Sequence, residues 1–124
     1  MMKRILVVDD QEQIANLAEL ILTSSGYSCT KANNGKRALE LIYDKKNNYD
    51  LVLMDLAMPE VSGIDVLKKL KQDGMLDRNK IVFFTASSLT GPEKDDLRKI
   101  GAMDAMSKPF TKAELLGFVE RHVK

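Results

Sequence analysis

The chain is poor in the residues that staple or metallate small domains. It has one cysteine, Cys29, and one histidine, His122. A lone cysteine excludes an internal disulfide, and a single cysteine with a single histidine excludes a Cys–His zinc cluster. Charge of one sign is also lacking: 19 lysines and arginines face 18 aspartates and glutamates, for a formal net charge of +1. This is not the basic excess of a nucleic-acid binder, and no nucleic-acid partner is expected. No apolar run approaches the ~20 residues of a membrane helix. The N-terminal MMKRILVV is too short for a signal peptide. A soluble, reduced, cytoplasmic protein without membrane contact is therefore expected. Repeats, low-complexity tracts and Pro/Gly/Ser linkers are missing as well. The 124 residues read as one compact domain.

What is present is an alternation of two kinds of segment. Five short stretches read as strands: Arg4–Val8, Tyr27–Lys31, Asp50–Met54, Ile81–Phe84 and Asp104–Met106. The first, third and fourth are continuous apolar runs, as in strands covered on both faces of a parallel sheet. Helical patterns lie between them. Ile14, Leu17, Ala18, Ile21 and Leu22 predict one buried stripe, with Gly26 suited to a left-handed C-terminal cap. Ala38, Leu39, Leu41 and Ile42 predict the core face of a second helix after Asn33-Asn34-Gly35. Ile64, Leu67 and Leu70 mark a third, ending near Gly74. The fourth opens at Thr90-Gly91-Pro92; only Leu97 and Ile100 are apolar at helical spacing, so it is expected to pack least firmly. Thr111-Lys112-Ala113-Glu114 has capping-box spacing, and Leu115, Leu116 and Val119 follow it as the core positions of a fifth helix. Strand-then-helix repeated five times predicts an open parallel sheet with helices on both faces. Ligands of such folds bind beyond the carboxyl ends of the strands.

Those strand ends carry the chemistry. The first runs into Asp9 and Asp10, the third into Asp55, the fourth into Thr85, and the fifth ends near Lys108. Adjacent carboxylates repel by about 1 kcal/mol at 4 Å in water and by about 4 at an effective dielectric of 20, so the pair needs water, a cation or a base. Three carboxylates at one point suit Mg²⁺. A carboxylate can also attack phosphorus, and the phosphoryl oxygens then need cations and donors, here Lys108 and the Thr85 hydroxyl. Taken singly, each residue has a plainer role. Either aspartate can cap the first helix, Thr85 can be a strand-end threonine, and Lys108 a solvated lysine. All of these plain roles coinciding at four strand ends is a poorer account than one shared site.

The motifs VVDDQ, LMDLAMPEVSG, FTAS and SKPF, in this order and over the whole chain, resemble the response-regulator receiver domain of two-component signalling. The resemblance implies a single (βα)5 flavodoxin-like domain over 1–124, an α/β three-layer sandwich with strand order 2-1-3-4-5. It implies phosphorylation of Asp55 by a sensor histidine kinase or phosphotransfer protein. It implies Mg²⁺ held by Asp10, Asp55 and the Ala57 carbonyl, with Asp9 acting mainly through metal-bound water. Thr85 and Lys108 would serve the phosphoryl group, and Lys108–Pro109 would be cis. Gly63 would permit close backbone packing. A downstream protein would dock on the face of helix 4, strand 5 and helix 5. The implied protein is no enzyme beyond its own phosphorylation and dephosphorylation.

The sequence departs from the family where an aromatic often stands three residues before the lysine; here it is Ala105. Met103 and Met106 are the candidates to fill that space. Ala57 and Ser87 hold the positions that tune dephosphorylation in the family. His122 reads as a surface or cap residue at the end of the last helix, and Cys29 as a small, buried or half-buried apolar residue. Two other readings follow from the same residues: a pseudo-receiver that keeps the fold as an interaction module, and an Asp-nucleophile phosphohydrolase. Against the latter, Ala57 stands where such enzymes commonly carry a second aspartate. With the last helix expected to end near Lys124, both a stand-alone receiver and an excised domain remain open.

Overall fold

The structure, a computed structural model, describes residues 2–86 and 89–123. Five strands and five helices alternate: β1 (Arg4–Val8), α1 (Glu12–Ser24), β2 (Ser28–Ala32), α2 (Gly35–Tyr43), β3 (Leu51–Asp55), α3 (Gly63–Gln72), β4 (Ile81–Thr85), α4 (Gly91–Lys99), β5 (Asp104–Ser107) and α5 (Lys112–Val123). The strands form one parallel sheet of order β2-β1-β3-β4-β5. This is the flavodoxin-like order expected.

Alternation along the strands sorts the core into two layers. Ile5, Val7, Leu51, Leu53, Val82 and Phe84 face α1 and α5. Leu6, Val8, Val52, Met54, Ile81 and Phe83 face α2, α3 and α4. Central strands β1, β3 and β4 are buried almost throughout, which is why they read as unbroken apolar runs.

The boundaries differ from expectation for identifiable reasons. Tyr27 is not in β2: its N–H closes the end of α1 on Leu22 O at 3.0 Å, while the Gly26 N–H reaches Thr23 O at 3.2 Å. These are the two bonds of a Schellman cap, and Gly26 takes the positive φ of +91° that the cap requires. Asp50 precedes β3, where its N–H bonds Arg4 O and its carboxylate receives the Arg4 N–H, both at 2.7 Å. In α1 the expected Leu17 is 43% exposed, and Ala15 takes its place on the buried stripe. In α5 Leu116 is only half-buried, and Phe118 packs inside instead.

The capping box of Thr111 and Glu114 is present at 3.1 and 3.0 Å. Two more occur, Ser62 with Asp65 and Thr90 with Glu93; both have the Ser/Thr-x-x-acid spacing that marks such starts. In α4 only Leu97 is buried, as its charged sequence predicted. No helix among the described residues is long and apolar enough to cross a membrane.

Candidate functional site

Register brings the acidic strand ends together. Val8 of β1 lies opposite Met54 of β3, so the next residue, Asp9, lies level with Asp55. Asp55 pairs with Phe84, and Phe84 with Met106. Asp9, Asp55, Phe84 and Met106 thus form one row across four strands.

The two neighbouring aspartates have different environments. Asp9 is fully buried, whereas Asp10 is exposed. Neither supplies the N-cap of α1, which is Gln11 with no side-chain cap bond. Asp9 Oδ1 accepts the Gln11 N–H at 2.8 Å, and Asp9 Oδ2 receives Lys108 Nζ at 2.7 Å. A buried carboxylate is costly unless paired; the ammonium and the backbone N–H supply the pairing. Lys108 Nζ also lies 3.5 Å from Asp55 Oδ2 and 4.8 Å from the centre of the Phe84 ring, a cation–π distance. Phe84 is a site residue that the sequence reading missed; its place in the apolar run IVFF gave no sign of a second role.

Burial pushes the Asp55 carboxyl up to about 6. Lys108 pulls it down, nearby Asp9 raises it, the Ala57 N–H (3.4 Å from Asp55 Oδ1) lowers it, and a hydrogen bond with Asp10 raises it. Asp9, Asp10 and Asp55 each offer an oxygen, all within 4.8 Å of one another. Three hard oxygen donors with a net negative field are a fitting set for a divalent hard cation.

Thr85 ends β4 and is buried; its carbonyl accepts the Lys108 N–H at 2.7 Å, fixing where the lysine departs from β5. The Lys108–Pro109 bond is cis. Ala57 is exposed on the loop after β3, and Ser87 lies outside the described residues.

That loop is tightly built. A Cβ on Gly63 would come within 2.4 Å of the Asp55 carbonyl oxygen and 2.8 Å of Phe83 Cε1, so only glycine allows α3 to start this close to the end of β3. Glu60 adopts φ +66°, at the centre of a three-residue turn closed by the Val61 N–H on Pro59 O at 2.7 Å. Ala105 is buried in the layer of α2, α3 and α4, and the two methionines diverge around it. Met103 is 43% exposed, and Met106, one residue on in the strand, packs on the opposite face with the α1/α5 layer. A surface groove of about 460 Å³ runs along the β5 edge, lined by Lys94, Ala105, Met106, Ser107, Gly117 and Phe118 among others.

Fold and site define a doubly wound α/β protein with an acidic cleft, a buried lysine and a buried threonine at the carboxyl end of its sheet. The family model described as response regulator receiver domain matches residues 5–120. Transcriptional regulatory protein YrkP of Bacillus subtilis (strain 168) is 41% identical over 112 residues, which is 90% of this chain and 46% of that protein. The chain therefore spans about half of that relative's length. Among solved structures, the receiver domain of the Francisella response regulator 1452 is similar with a TM-score of 0.87 and 31% identity, covering 98% of this chain and 96% of that one. Response regulator protein TrrA from Thermotoga maritima, solved in complex with Mg(2+)-BeF, has a TM-score of 0.80 and 35% identity over 97% of this chain and 98% of that one. The chain belongs to the response regulator receiver domain family, the receiver part of two-component response regulators.

Proposed function

We propose that residues 1–124 act as a cytoplasmic receiver domain whose Asp55 accepts a phosphoryl group from the phosphohistidine of a sensor histidine kinase or phosphotransfer protein. One observation carries the reading: the Asp55 carboxylate sits at the end of a buried strand, beside two further aspartates and 3.5 Å from a buried lysine ammonium. An Asp55 oxygen attacks phosphorus, the P–N bond breaks, and the imidazole nitrogen keeps the electron pair. The product is an acyl phosphate.

Burial strips the nucleophile of water, while its pKa near 6 leaves it mostly ionised at neutral pH. Lys108 would pair with the new phosphoryl oxygens, and the Thr85 hydroxyl would donate to one of them. Asp10, Asp55 and the Ala57 carbonyl would hold Mg²⁺, with Asp9 beside them. When bound, the cation supplies positive charge for the phosphoryl oxygens and offsets the carboxylate repulsion. The complete acidic set with Lys108 is what favours this reading over an interaction module without chemistry. Phosphorylation would shift the balance between two conformers, read by a protein partner on the face of α4, β5 and α5.

Incubation with Mg²⁺ and acetyl phosphate should add the mass of one phosphoryl group to the wild type and none to Asp55→Asn. Absence of the adduct on wild type, together with no binding of beryllofluoride, would overturn the proposal.

A further inference from the structure

A second cluster of charged side chains lies at the foot of the β5 edge, at the opposite end of the sheet from Asp55. Asp104 opens β5. Its Oδ1 accepts the Ala105 N–H at 2.8 Å and Arg98 Nη2 at 3.2 Å, and its Oδ2 lies 3.0 Å from His122 Nε2. Arg98 belongs to the last turn of α4 and also pairs with Asp95 at 3.0 Å. His122 belongs to the last turn of α5, half-buried rather than on the surface. Its ring stands edge-on to Phe118 with centroids 4.8 Å apart. Arg121 lies over the Phe118 ring at 5.7 Å, and Lys80 Nζ reaches the His122 carbonyl oxygen at 3.5 Å. Burial raises the Asp104 carboxyl, but the Ala105 N–H, His122 and Arg98 prevail and hold it below the ordinary carboxylate range.

The two helices joined by this carboxylate are anchored unequally. α5 buries Leu115, Phe118, Val119 and Val123. α4 buries only Leu97. A polar link therefore makes up a larger part of what holds α4 than of what holds α5. It reaches both helices from the first residue of β5.

We propose that Asp104 interlocks α4 with α5, so that the C-terminal end of α4 and the last turn of α5 loosen together. Asp104, Arg98 and His122 are positioning residues that keep α4, β5 and α5 as one surface. Its use in signalling rests on the receiver reading above; the interlock itself does not need phosphorylation.

Amide hydrogen exchange on the unphosphorylated protein tests it. Asp104→Asn should speed exchange about threefold in both residues 97–100 and residues 119–123, the size of effect a partly exposed ion pair commands. Arg98→Gln, made on α4, should speed exchange in the last turn of α5, and His122→Gln, made on α5, should do so in α4. Single variants that perturb only their own helix would overturn the interlock, even if Asp104→Asn fails to fold. The acyl-phosphate mass assay is independent: loss of the Asp55 adduct would sink the receiver chemistry and leave this result standing.

Discussion

Lys108 and Asp9 are 99 residues apart in the chain and 2.7 Å apart in the fold. A buried ion pair is worth little net when both partners are compared with apolar groups, but removing one partner strands a buried charge. At residue scale this explains why Lys108 lies with its side chain almost enclosed. The same scale shows one residue whose backbone works against its type. Glu60 holds φ +66°, a region that costs an L-residue roughly 1–2 kcal/mol and glycine almost nothing. Glycine in turn loses more entropy on folding. Glu60→Gly should therefore raise stability by about 0.5–1 kcal/mol, read as a higher urea midpoint at unchanged slope.

At the scale of elements, the helices differ in what holds them. α3 is fixed by Val66, Leu67 and Leu70, all without exposed surface, whereas α4 depends on its capping box, on Leu97 and on Arg98. Truncation should expose the difference. Leu67→Ala, in a packed layer that cannot collapse, should cost about 3–4 kcal/mol. Leu97→Ala, under a lightly anchored helix that can settle onto the gap, should cost about 2 kcal/mol. Denaturant unfolding of the two variants at one pH makes the comparison, and equal losses would count against the account of α4. Most of this was legible in sequence, because the apolar spacing and the charged run Glu93–Lys99 are local features. The capping boxes at Ser62 and Thr90 were equally legible by their spacing. The exchange of Leu17 for Ala15 was not, since apolar residues flank the stripe on both sides and only the helix's rotation against the sheet selects between them.

For the whole molecule, the acidic cleft is a standing cost that pH should reveal. Burial raises the Asp55 pKa to about 6 in the fold from the ordinary aspartate value of 3.8. Between those values the folded state binds more protons than the unfolded one, so stability falls as pH rises from about 4 to about 6. In metal-free buffer, Asp55→Asn should abolish this part of the fall. The variant should be more stable than wild type at pH 7 by about 1 kcal/mol, after discounting for solvent screening. Urea titrations of both proteins from pH 4 to 7.5 in chelator check the sign. Adding Mg²⁺ should narrow the gap at pH 7, because a bound cation removes the repulsion that the substitution removes.

The sequence by itself determined the element order, the parallel sheet with its two-sided core, and the acidic, threonine and lysine groups at the strand ends. These follow from periodicity and from side-chain type, which act over a few residues. Only the tertiary structure decided that Asp9, not Asp55, takes the shorter bond to Lys108, that Phe84 lies beneath the ammonium, and that Met106 packs on the opposite face of β5 from Ala105. It also brought Asp104, Arg98 and His122 together. Such pairings depend on strand register and on how each helix is rotated against the sheet. Those are settled by close packing of the whole core, and no local stretch of sequence carries them.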